Sequence, residues 1–193
     1  MIRVGILGDI GSGKSYVANI FGYPVFNADN EVSKLYRKDK KILKKLKKVL
    51  PNYFSSSPIK KTHIIKAILA NENNLRKIVK IVHAEVRKKM NLFLKKYKRK
   101  KIVILDVPLL LENKINKKND VLIFIQAKKK DILSNLKKRE NFDSRIFRKF
   151  KNIQLSLDYK RKKSHYIIKN DFTKRSIQKK VYNVLKEILK WKK

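Results

Sequence analysis

The chain has 193 residues, 42% of them hydrophobic, which argues against disorder and suffices for one domain with a sizeable core and inserted subdomains. It has no cysteine, so disulfides and thiolate metal sites are excluded, and no apolar run approaches membrane-spanning length. Lys and Arg number 52 against 15 Asp and Glu, a formal net charge of +37, which points to anionic substrates or partners.

The first predicted strand spans residues 2–7, around the apolar run Val4-Gly5-Ile6-Leu7. Directly after it comes Gly8-Asp9-Ile10-Gly11-Ser12-Gly13-Lys14-Ser15, which fits the phosphate-binding pattern G-x-x-x-x-G-K-[ST] at every fixed position. A helix-compatible run, 15–21, follows. Strand, glycine loop and helix are the context that pattern needs. Glycines let a phosphate approach the main chain, and successive amide N–H groups then point into one concavity. Gly11, Ser12, Gly13, Lys14, Ser15 and Tyr16 are therefore expected to bind a nucleoside triphosphate, with the Lys14 ammonium between the outer phosphates and the Ser15 hydroxyl on Mg²⁺. A dinucleotide motif would need a third glycine where Tyr16 stands. An incidental glycine-rich turn is the bland alternative.

Gly22 and Pro24 punctuate the chain before a short strand at 25–27, with Ala28-Asp29 at its carboxyl end, where open α/β sheets bind ligands. From Glu31 the apolar period is helical. Pro51 and the 55–58 segment break it, and a second helical region is expected over about 62–99. The third strand, 101–106, is a continuous apolar run ending in Asp106, as a buried parallel strand requires. The fourth is 121–125. A very basic helical stretch, about 128–163, separates it from a fifth strand at 166–168, and a closing helix spans about 173–190.

Alternation of strands and helices predicts an α/β layered fold: a five-stranded parallel sheet in a P-loop NTPase domain. The expected organisation is one domain over 1–193, with a core of about 1–30, 100–127 and 164–193, a helical substrate insert at about 31–99 and a basic lid at about 128–163. Closure of such a lid excludes water from phosphoryl transfer.

The motifs in series resemble those of the dephospho-coenzyme A kinase family, nearly end to end. Gly8–Tyr16 resembles its G-G-I-G-S-G-K-S-T, and Asn27-Ala28-Asp29 its D-A-D. Ile81–Arg87 resembles I-V-H-P-x-V-R, and Asp106-Val107-Pro108-Leu109-Leu110-Leu111-Glu112 resembles D-x-P-L-L-x-E. Farther on, Arg139 and Gln154 look like the lid arginine and downstream glutamine, and Lys160–Asn170 like K-R-x-x-A-D-x-V-I-x-N. The resemblance implies transfer of the ATP γ-phosphoryl group to the 3′-hydroxyl of dephospho-CoA, the last step of coenzyme A synthesis, with Mg²⁺ as cofactor. It implies Asp29 as acceptor of the hydroxyl proton, a role that can coexist with capping a helix beginning near Asn30. It implies His83, Arg87, Asp106, Leu109 and Glu112 on the substrate side, Arg139 over the phosphates and Asn170 near the adenine. Asp106 could hold Mg²⁺ through water or serve as an acceptor for neighbouring backbone. Glu112 could orient substrate or fix its loop. His83 could be a packed histidine, and Arg139 has Lys137 and Lys138 beside it as solvated surface.

Several positions depart from the family pattern. Asp9 adds a negative charge to the loop, tolerable if it points to solvent. Tyr16 replaces a small residue, Asn27 an acid, and Ala84 a proline, so that the helix can run through. Ile132 and Asn135 stand for a glutamine and an arginine, Phe150 for an arginine and His165 for an aspartate.

The basic residues are spread over most of the chain after residue 34, and Lys, Asn and Ile, all with A/T-rich codons, are abundant together. A compositional origin is the expectation, with no specific nucleic-acid partner and salt-sensitive, non-specific polyanion binding. No membrane association is expected; a cytoplasmic monomer without a targeting peptide is the simple reading. The rival functions are a P-loop kinase for a nucleoside monophosphate or other small metabolite, and a basic P-loop protein that binds nucleic acid.

Overall fold

The structure is a computed structural model that describes residues 1–55, 58–138 and 142–190. In chain order its elements are β1 (Ile2–Gly8), α1 (Lys14–Ile20), β2 (Val25–Asn27), α2 (Ala28–Lys38), α3 (Lys40–Val49), α4 (Lys61–Ala70), α5 (Glu72–Lys96), β3 (Ile102–Asp106), β4 (Val121–Gln126), α6 (Lys129–Lys137), α7 (Ser144–Asn152), α8 (Leu157–Lys162), β5 (Tyr166–Lys169) and α9 (Lys174–Lys190). They form two compact units: residues 1–27, 97–142 and 153–193, and residues 28–96 and 143–152.

The first unit is built on a parallel five-stranded sheet in the order β2-β3-β1-β4-β5. Its inner strands are apolar on both faces, as a sheet covered by helices on each side demands. Val4, Ile6, Ile102, Ile104, Ile123 and Ile125 pack with Val17 and Ala18 of α1 and Ile177, Val181 and Ile188 of α9. β1 lies between β3 and β4; the chain passes from β1 to β2 toward one edge of the sheet and from β4 to β5 toward the other. Its carboxyl end is thus the topological switch point, where a sheet of this kind opens a crevice for a ligand. Two register pairs fix what lies around that crevice: Gly8 sits opposite Ile125, and Asn27 opposite Asp106. At the other end of the strands Arg3 forms a buried ion pair with Asp120, 2.9 Å. Burial pushes the Asp120 carboxyl up, opposed by the Lys117 N–H bond and the Arg3 charge.

The second unit is helical. Leu35 of α2, Ile42 and Leu46 of α3, Ala67 and Ile68 of α4, and Ile78, Val82, Val86 and Met90 of α5 are among its buried apolar residues, with Phe54 between α3 and α4. The helical run expected from Glu31 is two helices, because Asp39 caps α3: its Oδ1 accepts from the N–H groups of Lys41 (2.8 Å) and Ile42 (3.1 Å). The run expected over 62–99 also divides, at Asn71, whose Oδ1 accepts from Asn73 N, 2.8 Å. α5 continues unbroken through Ala84. The basic stretch contains α6 and α8, in the first unit, and α7, in the second. Asp143 caps α7 through the N–H groups of Arg145 and Ile146, and the Arg145 guanidinium holds its carboxyl at about 2.

Candidate active site

The glycine loop joins β1 to α1. Gly11 and Gly13 have φ of 83° and 86°, the left-handed region that side chains disfavour. Space gives a second reason. A Cβ at Gly11 would come within 2.8 Å of Leu136 and 3.1 Å of Ile132 on α6, and one at Gly13 would collide with the Asn170 side-chain amide. Lys14 Nζ donates to the carbonyls of Asp9 (2.7 Å) and Gly8 (3.3 Å), which hold the ammonium over the loop. Ser15 and Tyr16 are exposed and Ser12 is fully buried. Asp9 does not point to solvent. It is buried, and its Oδ1 accepts from Ile10 N at 2.8 Å, so the loop's own backbone takes up part of the charge.

Beside the loop, the strand register sets Asn27 against Asp106. Asn27 Nδ2 donates to Asp106 Oδ2 at 2.6 Å and lies 3.4 Å from Ser15 Oγ. Asp106 is 2% exposed. Burial raises its carboxyl above the ordinary range, against the opposing pull of the Ser15 hydroxyl, the Lys14 charge and the Asn27 amide. A hydroxyl and a carboxylate oxygen brought together are hard donors of the kind Mg²⁺ accepts when phosphate and water complete its shell. Among the described residues no group of three or more His, Cys, Asp or Glu could hold a metal by itself.

After β3, Leu109 is buried and Glu112 folds back. Its Oε1 accepts from Leu155 N (3.0 Å) and pairs with Lys160 Nζ (2.8 Å), while its Oε2 is buried without a hydrogen-bond partner. Lys160 is 1% exposed and also donates to Gln154 Oε1, 2.9 Å. These bonds tie the loop after β3 to α8 and to the segment before it. His165 begins the β4–β5 pairing: its N–H donates to Leu122 O and its Nδ1 accepts from Leu122 N. The ladder needs an acceptor there, and an imidazole supplies it. Asn170, just past β5, is buried and donates to Ser12 O at 2.8 Å.

The residues expected to act thus fall in two groups. Gly11, Ser12, Gly13, Lys14, Ser15, Tyr16, Asp106, Leu109, Glu112 and Asn170 belong to the first unit. Asp29, His83 and Arg87 belong to the second. Asp29 is exposed and is the second residue of α2, since the helix starts at Ala28 rather than near Asn30. Its place in the first turn, where a carboxylate meets the positive helix end, differs from the cap position. His83, half-buried, and exposed Arg87 lie four residues apart on α5, one turn of a shared face. Arg139 lies outside the described residues.

Three contributors to the site were hidden in the sequence. Ile132, buried with Leu136 against Gly11, belongs to the wall of the loop; only its apolar spacing from Leu136 on α6 hints at this. Lys160 stands in a run of basic residues, and its place at the head of the matched motif does not show that it is the buried one. Asn27, expected only as a lost acid, supplies the donor that touches both Ser15 and Asp106.

Comparison with known proteins bears on this geometry. The family model for dephospho-CoA kinase matches residues 2–175. A dephospho-CoA kinase of Wolbachia pipientis wMel is 34% identical over 187 residues, covering 94% of this chain and 95% of the relative. A crystal structure from Thermus thermophilus shares the fold with a TM-score of 0.74 at 23% identity, covering 96% of this chain and 97% of that one. A dephospho-CoA kinase from Campylobacter jejuni shares it with a TM-score of 0.65 at 19% identity, covering 99% and 98%. A loop of this form at the switch point, in a chain matched over nearly its whole length, carries one conclusion: the chain belongs to the dephospho-CoA kinase family.

Proposed function

We propose that the chain transfers the γ-phosphoryl group of ATP to the 3′-hydroxyl of dephospho-CoA, giving coenzyme A and ADP. The family match across residues 2–175 carries the reading, and the geometry of the glycine loop supports it. The loop amides and Lys14 hold the β- and γ-phosphates and lower the cost of charge developing between them. Ser15 and Asp106, the latter through water, are the residues that would hold Mg²⁺, which when bound neutralises phosphate charge. Asp29 accepts the proton of the attacking hydroxyl. A bond forms from that oxygen to the γ-phosphorus, the bond to the β–γ bridging oxygen breaks, and ADP leaves with the electron pair. His83 and Arg87 serve the acceptor side, where a guanidinium suits the anionic groups of dephospho-CoA. Leu109 and Glu112 shape that side from the loop after β3. Tyr16 and Asn170 serve the ATP side, and Arg139 offsets charge in the transition state. The enzyme works in the cytoplasm as a monomer, without a specific nucleic-acid partner.

The test is an acceptor panel at fixed ATP and Mg²⁺. Dephospho-CoA should be turned over, and nucleoside monophosphates should not. In the same assay Asp29→Asn should lower kcat by about a hundredfold or more with little change in KM, the pattern of a group used in the transition state. Turnover of a nucleoside monophosphate in place of dephospho-CoA would replace the acceptor. An unchanged kcat would leave Asp29 a first-turn carboxylate and nothing more.

A further inference from the structure

We propose that Asn170 is a positioning residue of the phosphate loop: its side-chain amide sets the direction of the Ser12–Gly13 peptide and so aims the Gly13 N–H at phosphate. The inference rests on the reading of this loop as an ATP site. It differs from the expectation that Asn170 meets the adenine.

Asn170 is fixed on every side that the structure describes. Its backbone N–H donates to Gln126 O at the end of β4, 2.7 Å. Its Nδ2 donates to Ser12 O and its Oδ1 accepts from Phe172 N, both 2.8 Å. The side chain is therefore used as one donor and one acceptor in a single plane, and the residue is 3% exposed. Aspartate would present an acceptor to the Ser12 carbonyl, and leucine or alanine nothing.

The consequence for the loop follows from peptide geometry. In a trans peptide the C=O and N–H point in opposite directions. Holding Ser12 O toward Asn170 turns the Gly13 N–H to the other side, away from β5. The Gly13 carbonyl is already engaged, accepting from Val17 N at 3.0 Å as α1 begins. The Ser12–Gly13 peptide is thus pinned by Asn170, and the next peptide, Gly13–Lys14, by the helix. Gly13 must be glycine partly because the Asn170 amide sits where its Cβ would be.

The turn that carries Asn170 is held with unusual redundancy. Asp171 accepts from Thr173 N (3.0 Å), the Ser176 hydroxyl (2.6 Å) and Lys180 Nζ (2.9 Å), and Lys180 also donates to Lys169 O, 2.8 Å. Phe172 has φ of 60°, a conformation that a bulky side chain adopts only when its surroundings impose it. Its ring lies 3.4 Å from where a Gly13 Cβ would stand. A strained, multiply anchored turn pressed on the loop is expected of a part whose position matters.

Calorimetric binding of ATP and of inorganic tripolyphosphate to the wild-type chain, Asn170→Asp and Asn170→Ala tests this. Tripolyphosphate has neither base nor ribose. Asn170→Asp keeps the acceptor for Phe172 and loses the donor to Ser12. Both variants should bind both ligands more weakly by the same factor, about tenfold or more, as loss of a buried hydrogen bond implies. Weakening of ATP alone would assign Asn170 to the base and overturn the proposal, as would wild-type binding by Asn170→Asp. A wild-type chain that binds neither ligand would overturn the ATP reading itself, and this inference with it. Should the variants not fold, hydrogen exchange in the wild-type chain decides: slow exchange of the Asn170 side-chain amide protons supports the proposal, and exchange at the solvent rate overturns it.

Discussion

Asp106 stands under two opposed demands. Burial favours its neutral form, while the Mg²⁺ role proposed for it needs the charge. Ser15, Lys14 and Asn27 meet the conflict partway, and the net result is a raised carboxyl. The sign of the pH dependence follows. An ordinary aspartate loses its charge below about pH 4, so a raised one loses it earlier as the pH falls. The acid limb of kcat/KM should therefore lie above that value, and Asp106→Asn should remove this limb together with most of the activity. The contribution to stability runs the opposite way: it is present below the unfolded-state value and lost as the pH rises through the native one. A limb that Asp106→Asn leaves in place would show that another group titrates. At this scale the sequence was most informative for the loop, because glycine spacing and a lysine are local signals. The Asn27–Asp106 contact was not legible, since it arises from a register between strands 79 residues apart in sequence.

Among the elements, α8 is held by an interaction its own sequence conceals. Lys160 is buried and bonded to half-buried Glu112 and Gln154, while Arg161, Lys162 and Lys163 beside it are exposed. Removing one partner leaves the other charge buried and unpaired. Lys160→Met should thus cost about 3–5 kcal/mol of stability in urea unfolding, and adding Glu112→Gln should recover a large part. A single-variant loss under about 1 kcal/mol would mean that the pair is solvated and holds nothing. The strands were readable from the sequence because a parallel sheet covered on both faces writes continuous apolar runs. Helix divisions at 39 and 71 were not, since Asp39 and Asn71 end periodicity by capping, without the proline or glycine that usually announces a break. His165 shows the limit of motif comparison at this scale. It departs from an expected aspartate and still supplies an acceptor to Leu122.

Across the whole molecule the net charge of +37 is the most conspicuous property and the least specific. On α3, lysines 40, 41, 44, 45, 47 and 48 are exposed while Ile42 and Leu46 are buried, a solvated face over an apolar one. No helix among the described residues is long and apolar enough to cross a membrane. What defines the molecule is the crevice at the end of β1, with a loop whose glycines are required both by φ and by the side chains packed on them. The sheet order, and the grouping of residues 143–152 with residues 28–96, depend on contacts between distant segments, so neither could be read from local pattern. The central claim is that this loop delivers the terminal phosphoryl group of ATP to one hydroxyl. ³¹P NMR of the products from ATP, Mg²⁺ and dephospho-CoA tests it most directly. The account predicts a new phosphomonoester at the 3′ position with the wild-type chain and none with folded Lys14→Ala. Near-normal product from Lys14→Ala, or phosphate at another position, would contradict it.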